Sequence, residues 1–317
     1  MTIFRGKPPA LFLICIMLAL LVRPGEYVLA DSGRKVKIVV FMSNNSAPYE
    51  ELLDGFKTGL AKQKIDPEFS VSVLQGDRGV ELFEQKSTGE KPAMVLTVGS
   101  KAQGLAASGP TDVPVVAGLF LRARETRGKR NITGISMEFA FETQFQEMRQ
   151  VLPHCRNIGV VYSPANADRM DEAERAAAGM GLVLHKRQIS NLSELPPVLD
   201  FFVNRVDVLW GVPDELVFTP QTAKDILLYS LRNRIPLVGL SGTWTKAGAL
   251  YSLEWDYKDL GLQCAELANK ILGGAAPGSL PIAGPRKIVY SLNLKTASHM
   301  KLEIPDIIEK SAFQVYR

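Results

Sequence analysis

Cysteine and histidine are scarce, with 3 of each among 317 residues. Three Cys exclude a disulfide scaffold, and three scattered His exclude a His-built metal centre. His154, His185 and His299 have no acidic or Cys neighbours at ligand spacing. His154 does precede Cys155, but a single His-Cys pair reads as a surface loop. No Gly-x-Ser-x-Gly elbow is present, since Gly239-Leu240-Ser241-Gly242 is one residue out of pattern. Also missing are a phosphate-binding loop ending in Gly-Lys-Ser/Thr and a Gly-x-Gly-x-x-Gly after a strand. Nucleophilic-triad, metal-hydrolase and dinucleotide chemistry therefore lack support. An enzyme on this scaffold would need an acid, base or nucleophile brought together in a cleft.

Strong net charge is lacking as well. The chain carries 37 Lys+Arg and 33 Asp+Glu, a net +4. Three of those bases (Arg5, Lys7, Arg23) and one acid (Glu26) fall in the first 30 residues, which leaves 34 bases against 32 acids, or +2. Such a balance is not a nucleic-acid footprint. With 46% hydrophobic and 22% charged residues, the composition is that of a globular protein.

The one long apolar run, Leu11 to Val22, stands at the N-terminus. Arg5 and Lys7 precede it, Pro24-Gly25 break it, and Val28-Leu29-Ala30 offers a cleavage site before Asp31. Residues 1–30 thus read as a secretory signal peptide. A helix of twelve apolar residues spans about 18 Å, short of the roughly 30 Å that an anchor needs. Cys15 lies inside the run behind Leu13-Ile14, which argues against a lipoprotein. Expected localisation is the periplasm, or otherwise secretion, after cleavage near Ala30. Of the remaining Cys, Cys155 and Cys264 lie far apart; Cys264 falls on an apolar helical stripe and reads as a buried free thiol, while an extracytoplasmic compartment also permits a disulfide between the two.

Beyond residue 35, β-branched runs alternate with helical periodicities, the signature of parallel βαβ units. Strands are expected at 36–41, 69–74, 94–98 and 113–117, with helices at 48–64 and 78–87 and a short one opening at Gly99-Ser100. A second half follows, with helices at 139–152, 165–180 and 219–233 and strands at 157–162, 182–188, 206–210, 236–240 and 249–253. Asp256 reads as the N-cap of a helix whose stripe runs from Tyr257 through Leu260, Cys264 and Ala268 to Leu272, stopped by Gly273-Gly274. A last strand is expected at 287–292, then short helical pieces.

In open α/β sheets, ligands sit beyond the carboxyl ends of the strands. The loops at those ends carry Ser43 and Asn44, Ser100, Asn166, Asp214 and Ser241. Helix N-termini and hydroxyls there suit a solute carboxylate. Asp214 or Glu215 would balance an ammonium, and Tyr162, Trp210, Trp244 and Trp255 would supply an apolar wall. Each residue has a plainer role as a cap or as core.

Several spacings are familiar. Gly248-Ala-Leu-Tyr-Ser-Leu-Glu-Trp-Asp-Tyr-Lys-Asp-Leu-Gly261, Ile271-Leu272-Gly273-Gly274 with Leu280-Pro281-Ile282, and Asn293-Leu294-Lys295-Thr296-Ala297 with Ile304-Pro305 occur in order. Upstream stand Asn131-Ile132-Thr133-Gly134-Ile135-Ser136, and Pro153 with Ile158-Gly159-Val160-Val161-Tyr162. Together these resemble the ABC transporter substrate-binding proteins related to tryptophan and tyrosine binders. The resemblance implies a type I periplasmic-binding-protein fold, α/β, with two doubly wound Rossmann-like lobes joined by a three-crossing hinge. It implies crossings near 122–135, 250–256 and 280–286. The lobes would be 31–122 plus 254–282, and 123–253 plus 283–317.

Three loops depart from the family pattern. Leu119-Phe120-Leu121-Arg122 stands where an Asp-Pro turn is usual, which makes Phe120 a candidate contact. Ser163 replaces an Asn, and Asp214-Glu215 replaces Asp-Asn. The basic run Arg122, Arg124, Arg127, Lys129, Arg130 sits in the first expected crossing, as a solvated linker or an attraction for an anion. The implied function is an importer's solute-binding component that closes on an amino acid or similar solute. It would act without metal or cofactor, as a monomer, with a membrane permease and no nucleic acid as partner. A ligand sensor or partner-docking protein of the same fold is the alternative.

Overall fold

Strands buried on both faces of a parallel sheet read as continuous apolar runs. β1 (Lys37–Met42) is such a run, with Ile38 to Phe41 wholly sealed from solvent. The computed structural model describes residues 36–74, 79–109, 112–121 and 128–317. The expected signal peptide, Arg78, and Arg122, Arg124 and Arg127 of the basic run lie outside the described residues. After β1 come α1 (Ala47–Lys62), β2 (Glu68–Val73), α2 (Gly79–Glu84), β3 (Met94–Val98), α3 (Ser100–Ser108), β4 (Val115–Phe120) and β5 (Ile132–Ser136). The strands form one sheet in the order β2-β1-β3-β4-β5, parallel throughout.

The second half holds α4 (Phe141–Val151), β6 (Asn157–Tyr162), α5 (Ala167–Gly179), β7 (Val183–Gln188), α6 (Leu195–Phe202), β8 (Val208–Trp210), α7 (Pro220–Asn233), β9 (Leu237–Gly239), α8 (Gly242–Ala247) and β10 (Tyr251–Trp255). Then follow α9 (Tyr257–Leu272), β11 (Ile288–Asn293), α10 (Leu294–Met300), α11 (Asp306–Ser311) and β12 (Gln314–Tyr316). The second sheet has the order β12-β11-β10-β9-β8-β6-β7, and only the β10–β11 pairing is antiparallel.

Helices cover both faces of each sheet. On the first, Phe56 of α1 and Cys264 of α9 share one core, while Phe83 of α2 and Ala102 of α3 belong to the other. On the second, Phe145 of α4 and Met170 of α5 fill one face, and Phe202 of α6 and Ile226 of α7 the opposite one.

Helix α9 shows how the two halves interlace. It follows β10 of the second sheet yet packs along α1 on the first. Two glycines permit the close approach. A Cβ on Gly55 would meet the Lys258 carbonyl at 2.1 Å, and one on Gly261 the Leu52 carbonyl at 2.1 Å. Asp256 caps α9 as its sequence predicts, its Oδ1 accepting from the Asp259 N–H at 2.9 Å. The chain thus changes lobes at Asp256, and it changes back between α9 and β11.

The first crossing differs from expectation. Within 122–135, residues from Ile132 on form β5, which pairs with β4, so the chain leaves the first sheet only after Ser136. The run Ile132-Thr133-Gly134-Ile135-Ser136 has only two large apolar residues around a central Gly, so it does not stand out from the linker before it. Its fit is set from far away: Thr133 Oγ1 donates to the Leu280 carbonyl at 2.9 Å, and the Ser136 N–H to the Ala283 carbonyl at 2.9 Å. Helix α6 is also absent from the expected elements, and it opens on Pro196-Pro197. Both prolines lie in its first turn, where the N–H groups they lack would have no helical partner. The short helix α8 and strand β12 are further additions. Among the described residues no helix is long and apolar enough to cross a membrane.

Candidate ligand-binding cleft

A doubly wound sheet of order β2-β1-β3-β4-β5 has its switch point between β1 and β3. The second sheet has the equivalent point between β6 and β8. A cleft of about 1090 Å³ runs between the lobes at the crossings. Its apolar lining includes Met137 and Phe139 from the first crossing, Trp255 from the end of β10, and Leu280 from the third crossing. Asn166, Asp168, Arg169, Glu172, Asp214 and Glu215 supply most of its polar side from the second lobe.

The floor is aromatic. Trp255 stacks on Phe139, ring centroids 5.4 Å apart and planes 12° apart. Its indole N–H donates to the Met137 carbonyl at 2.9 Å. One side chain thereby joins the first and second crossings and lines the cleft at the place where the lobes must pivot. Behind it, Trp210 is 2% exposed, edge-on to Phe141 and Phe145, and donates to Gln144 Oε1 at 3.1 Å. Gln144 Nε2 in turn donates to the Phe139 carbonyl at 2.9 Å, so the crossing is anchored to α4.

At the second switch point a buried carboxylate ties two loops together. Asp214 is 8% exposed. Its Oδ1 accepts from the Leu216 and Val217 N–H groups, each at 2.9 Å. Its Oδ2 accepts from the Ser163 N–H at 2.7 Å and from Asn166 Nδ2 at 2.8 Å. Burial pushes this carboxyl up, yet the hydrogen bonds together outweigh it and hold the group below its ordinary range. At the rim, Arg169 pairs with Glu138 at 3.5 Å and lies over the Phe141 ring.

Of Ser43, Asn44, Ser100, Phe120, Tyr162, Asn166, Asp214 and Ser241, the structure places Asn166 and Asp214 in the cleft lining, and Glu215, Trp210 and Trp255 line it as well. Ser43 Oγ accepts from the Ala102 N–H at 2.9 Å, capping α3 from a separate loop. Asn44 Oδ1 accepts from the Ser46 N–H at 2.8 Å ahead of α1. Ser100 Oγ accepts from the Leu121 N–H at 3.4 Å. These three gather at the first switch point, outside the lining. Phe120 is wholly buried in the first lobe's core, because β4 continues three residues past the expected strand end at 117. Tyr162 packs against the second lobe's core, and Ser241 stands at the N-cap of α8. In the expected aromatic wall, Trp255 faces the cleft most fully, while Trp244 backs Phe218, which lines it, at 5.8 Å. Sequence reading missed Met137, Glu138, Phe139 and Arg169. The crossing that carries the first three had been placed too early. Among the described residues no group of three or more His, Cys, Asp or Glu could hold a metal ion. Cys155 and Cys264 are free and buried.

Two α/β lobes, three crossings and a cleft at the pivot define a type I periplasmic-binding-protein fold. The chain belongs to the ABC transporter substrate-binding protein family, whose family model matches residues 35–316. It is 22% identical over 237 residues to a tyrosine-binding protein of Clostridioides difficile, covering 70% of this chain and 68% of that one. Among solved structures it resembles a ligand-free, open substrate-binding protein with adhesive properties from Clostridium difficile, with TM-score 0.74, 18% identity and coverage of 89% and 99%. It also resembles an ABC domain in complex with L-Trp from Streptococcus pneumonia, with TM-score 0.59, 20% identity and coverage of 89% and 100%.

Proposed function

We propose that the protein is the extracytoplasmic solute-binding component of an ABC-type importer, and that its solute is an aromatic amino acid. The observation that carries this reading is the Trp255–Phe139 floor, a flat apolar surface built from two crossings and flanked by the polar groups of the second switch point. Relatives described as binding tyrosine and L-Trp support it. Binding is by closure. A solute that touches both lobes favours the closed state in proportion to its differential affinity for it. Closure would carry Ser43, Asn44 and Ser100 at the first switch point toward Asn166 across the cleft. We assign residues 36–136 plus 257–282 to the first lobe and 137–256 plus 288–317 to the second, with a membrane permease as the partner of the closed monomer. Residues 1–30 would act as a signal peptide cleaved before Asp31, so the exported protein should have the mass of residues 31–317.

A thermal-shift screen against the amino acids tests the reading. L-Tryptophan or L-tyrosine should stabilise the protein increasingly with concentration, by about 2.7 kcal/mol at a hundredfold excess over Kd. Stabilisation by a sugar or an inorganic anion, and by no amino acid, would contradict it.

A further inference from the structure

The Asp214 carboxylate offers about four acceptor positions, and four donors already occupy them. It has none left for a solute ammonium. Its neighbour Asn166 is in a different situation. The two N–H bonds of Asn166 Nδ2 point at two acceptors, Asp214 Oδ2 at 2.8 Å and the Pro213 carbonyl at 3.1 Å. An ionised carboxylate and a carbonyl accept and cannot donate. Turning the Asn166 carboxamide over would set its oxygen against both, which fixes the amide in one orientation. Nothing among the described residues donates to the remaining atom, Oδ1, and Asn166 lines the cleft.

We propose that Asp214 is a positioning residue that locks the Asn166 carboxamide, and that Asn166 Oδ1 is the second lobe's acceptor for an N–H donor of the solute. The inference rests on the cleft being the solute site. It changes the role expected for Asp214 from direct counter-charge to support, and it makes Asn166 the contact that distinguishes an amino acid from the same molecule without its ammonium.

Two measurements test it. The first needs no ligand: NMR of the nitrogen-labelled protein, following the Asn166 side-chain amide protons. They should exchange slowly in the wild type and lose that protection in Asp214→Ala. Exchange equally fast in both proteins would overturn the positioning role. The second is calorimetric titration with L-tryptophan and with indole-3-propionate, which lacks the ammonium. Asn166→Ala should weaken L-tryptophan by about tenfold and leave indole-3-propionate within about threefold. Asp214→Ala should show the same pattern, and the double variant should be no worse than either single one. Equal weakening of both probes by Asn166→Ala would overturn the acceptor role. So would a loss of the preference for L-tryptophan in Asp214→Ala but not in Asn166→Ala. If the wild type binds neither probe, the aromatic-amino-acid reading fails, and the NMR measurement decides the positioning alone.

Discussion

Asp214 spends its charge on the protein itself. Removing it orphans the N–H groups of Ser163, Leu216 and Val217 together with the Asn166 amide. Asp214→Ala should therefore lower the unfolding free energy by about 3 kcal/mol at neutral pH, measured by urea denaturation. The native carboxyl titrates below its ordinary value, so its stabilisation is complete above that value, about 3.9, and is lost as pH falls through the native one. The gap between wild type and Asp214→Ala should be constant from about pH 5 to 8 and shrink as the pH falls below the ordinary carboxyl value of about 3.9. A gap unchanged at acid pH would contradict the assignment. The thiols make the opposite case. Burial pushes Cys155 and Cys264 up to about 12. Neither should react with a thiol reagent in the native protein at mildly alkaline pH, and both should react once it is unfolded. Residue roles were legible where the chemistry is local. Asp256 caps the helix that begins one residue later. Ser43 read as a solute contact, because the N–H it caps, on Ala102, lies in α3, two strands away along the chain.

At the scale of elements, the α1–α9 pair holds the interlaced topology together. Gly261→Ala would press a methyl group against the Leu52 carbonyl and the Phe56 N–H, at 2.1 and 2.6 Å. Backbone cannot yield as a side-chain tip does, so the variant should lose about 3 kcal/mol of stability in chemical denaturation. An unchanged midpoint would mean that the helices are not so closely packed. Most elements could be read from periodicity, because both faces of each sheet are covered and the strands stand out as apolar runs. β5 and β12 could not. Neither is a continuous apolar run, and each owes its place to a partner strand supplied elsewhere in the fold. α6 was absent from the expected elements, and it opens on prolines, which break a helix interior but suit a first turn. The late position of the first crossing had a cost for the site. Met137, Glu138 and Phe139 belong to a hinge that the sequence placed before them.

For the whole molecule, the hinge and the cleft share parts. Trp255 bonds to the first crossing, begins the second and floors the cavity. From the third crossing, Arg286 holds Asp259 and Glu266 on α9, and Lys287 holds Asp256 at the second crossing. These pairs lie on the surface and contribute little stability, but they keep the two crossings side by side. Solute contact at Trp255 is thereby contact with the pivot. Small-angle scattering should show a smaller radius of gyration when a saturating aromatic amino acid is added. The most direct test is calorimetric titration of the wild type and of Trp255→Ala with L-tryptophan and L-tyrosine. The account predicts one-to-one binding of at least one of them, weakened by about tenfold or more in the variant. Binding of neither by the wild type, or equal affinity in the variant, would contradict it.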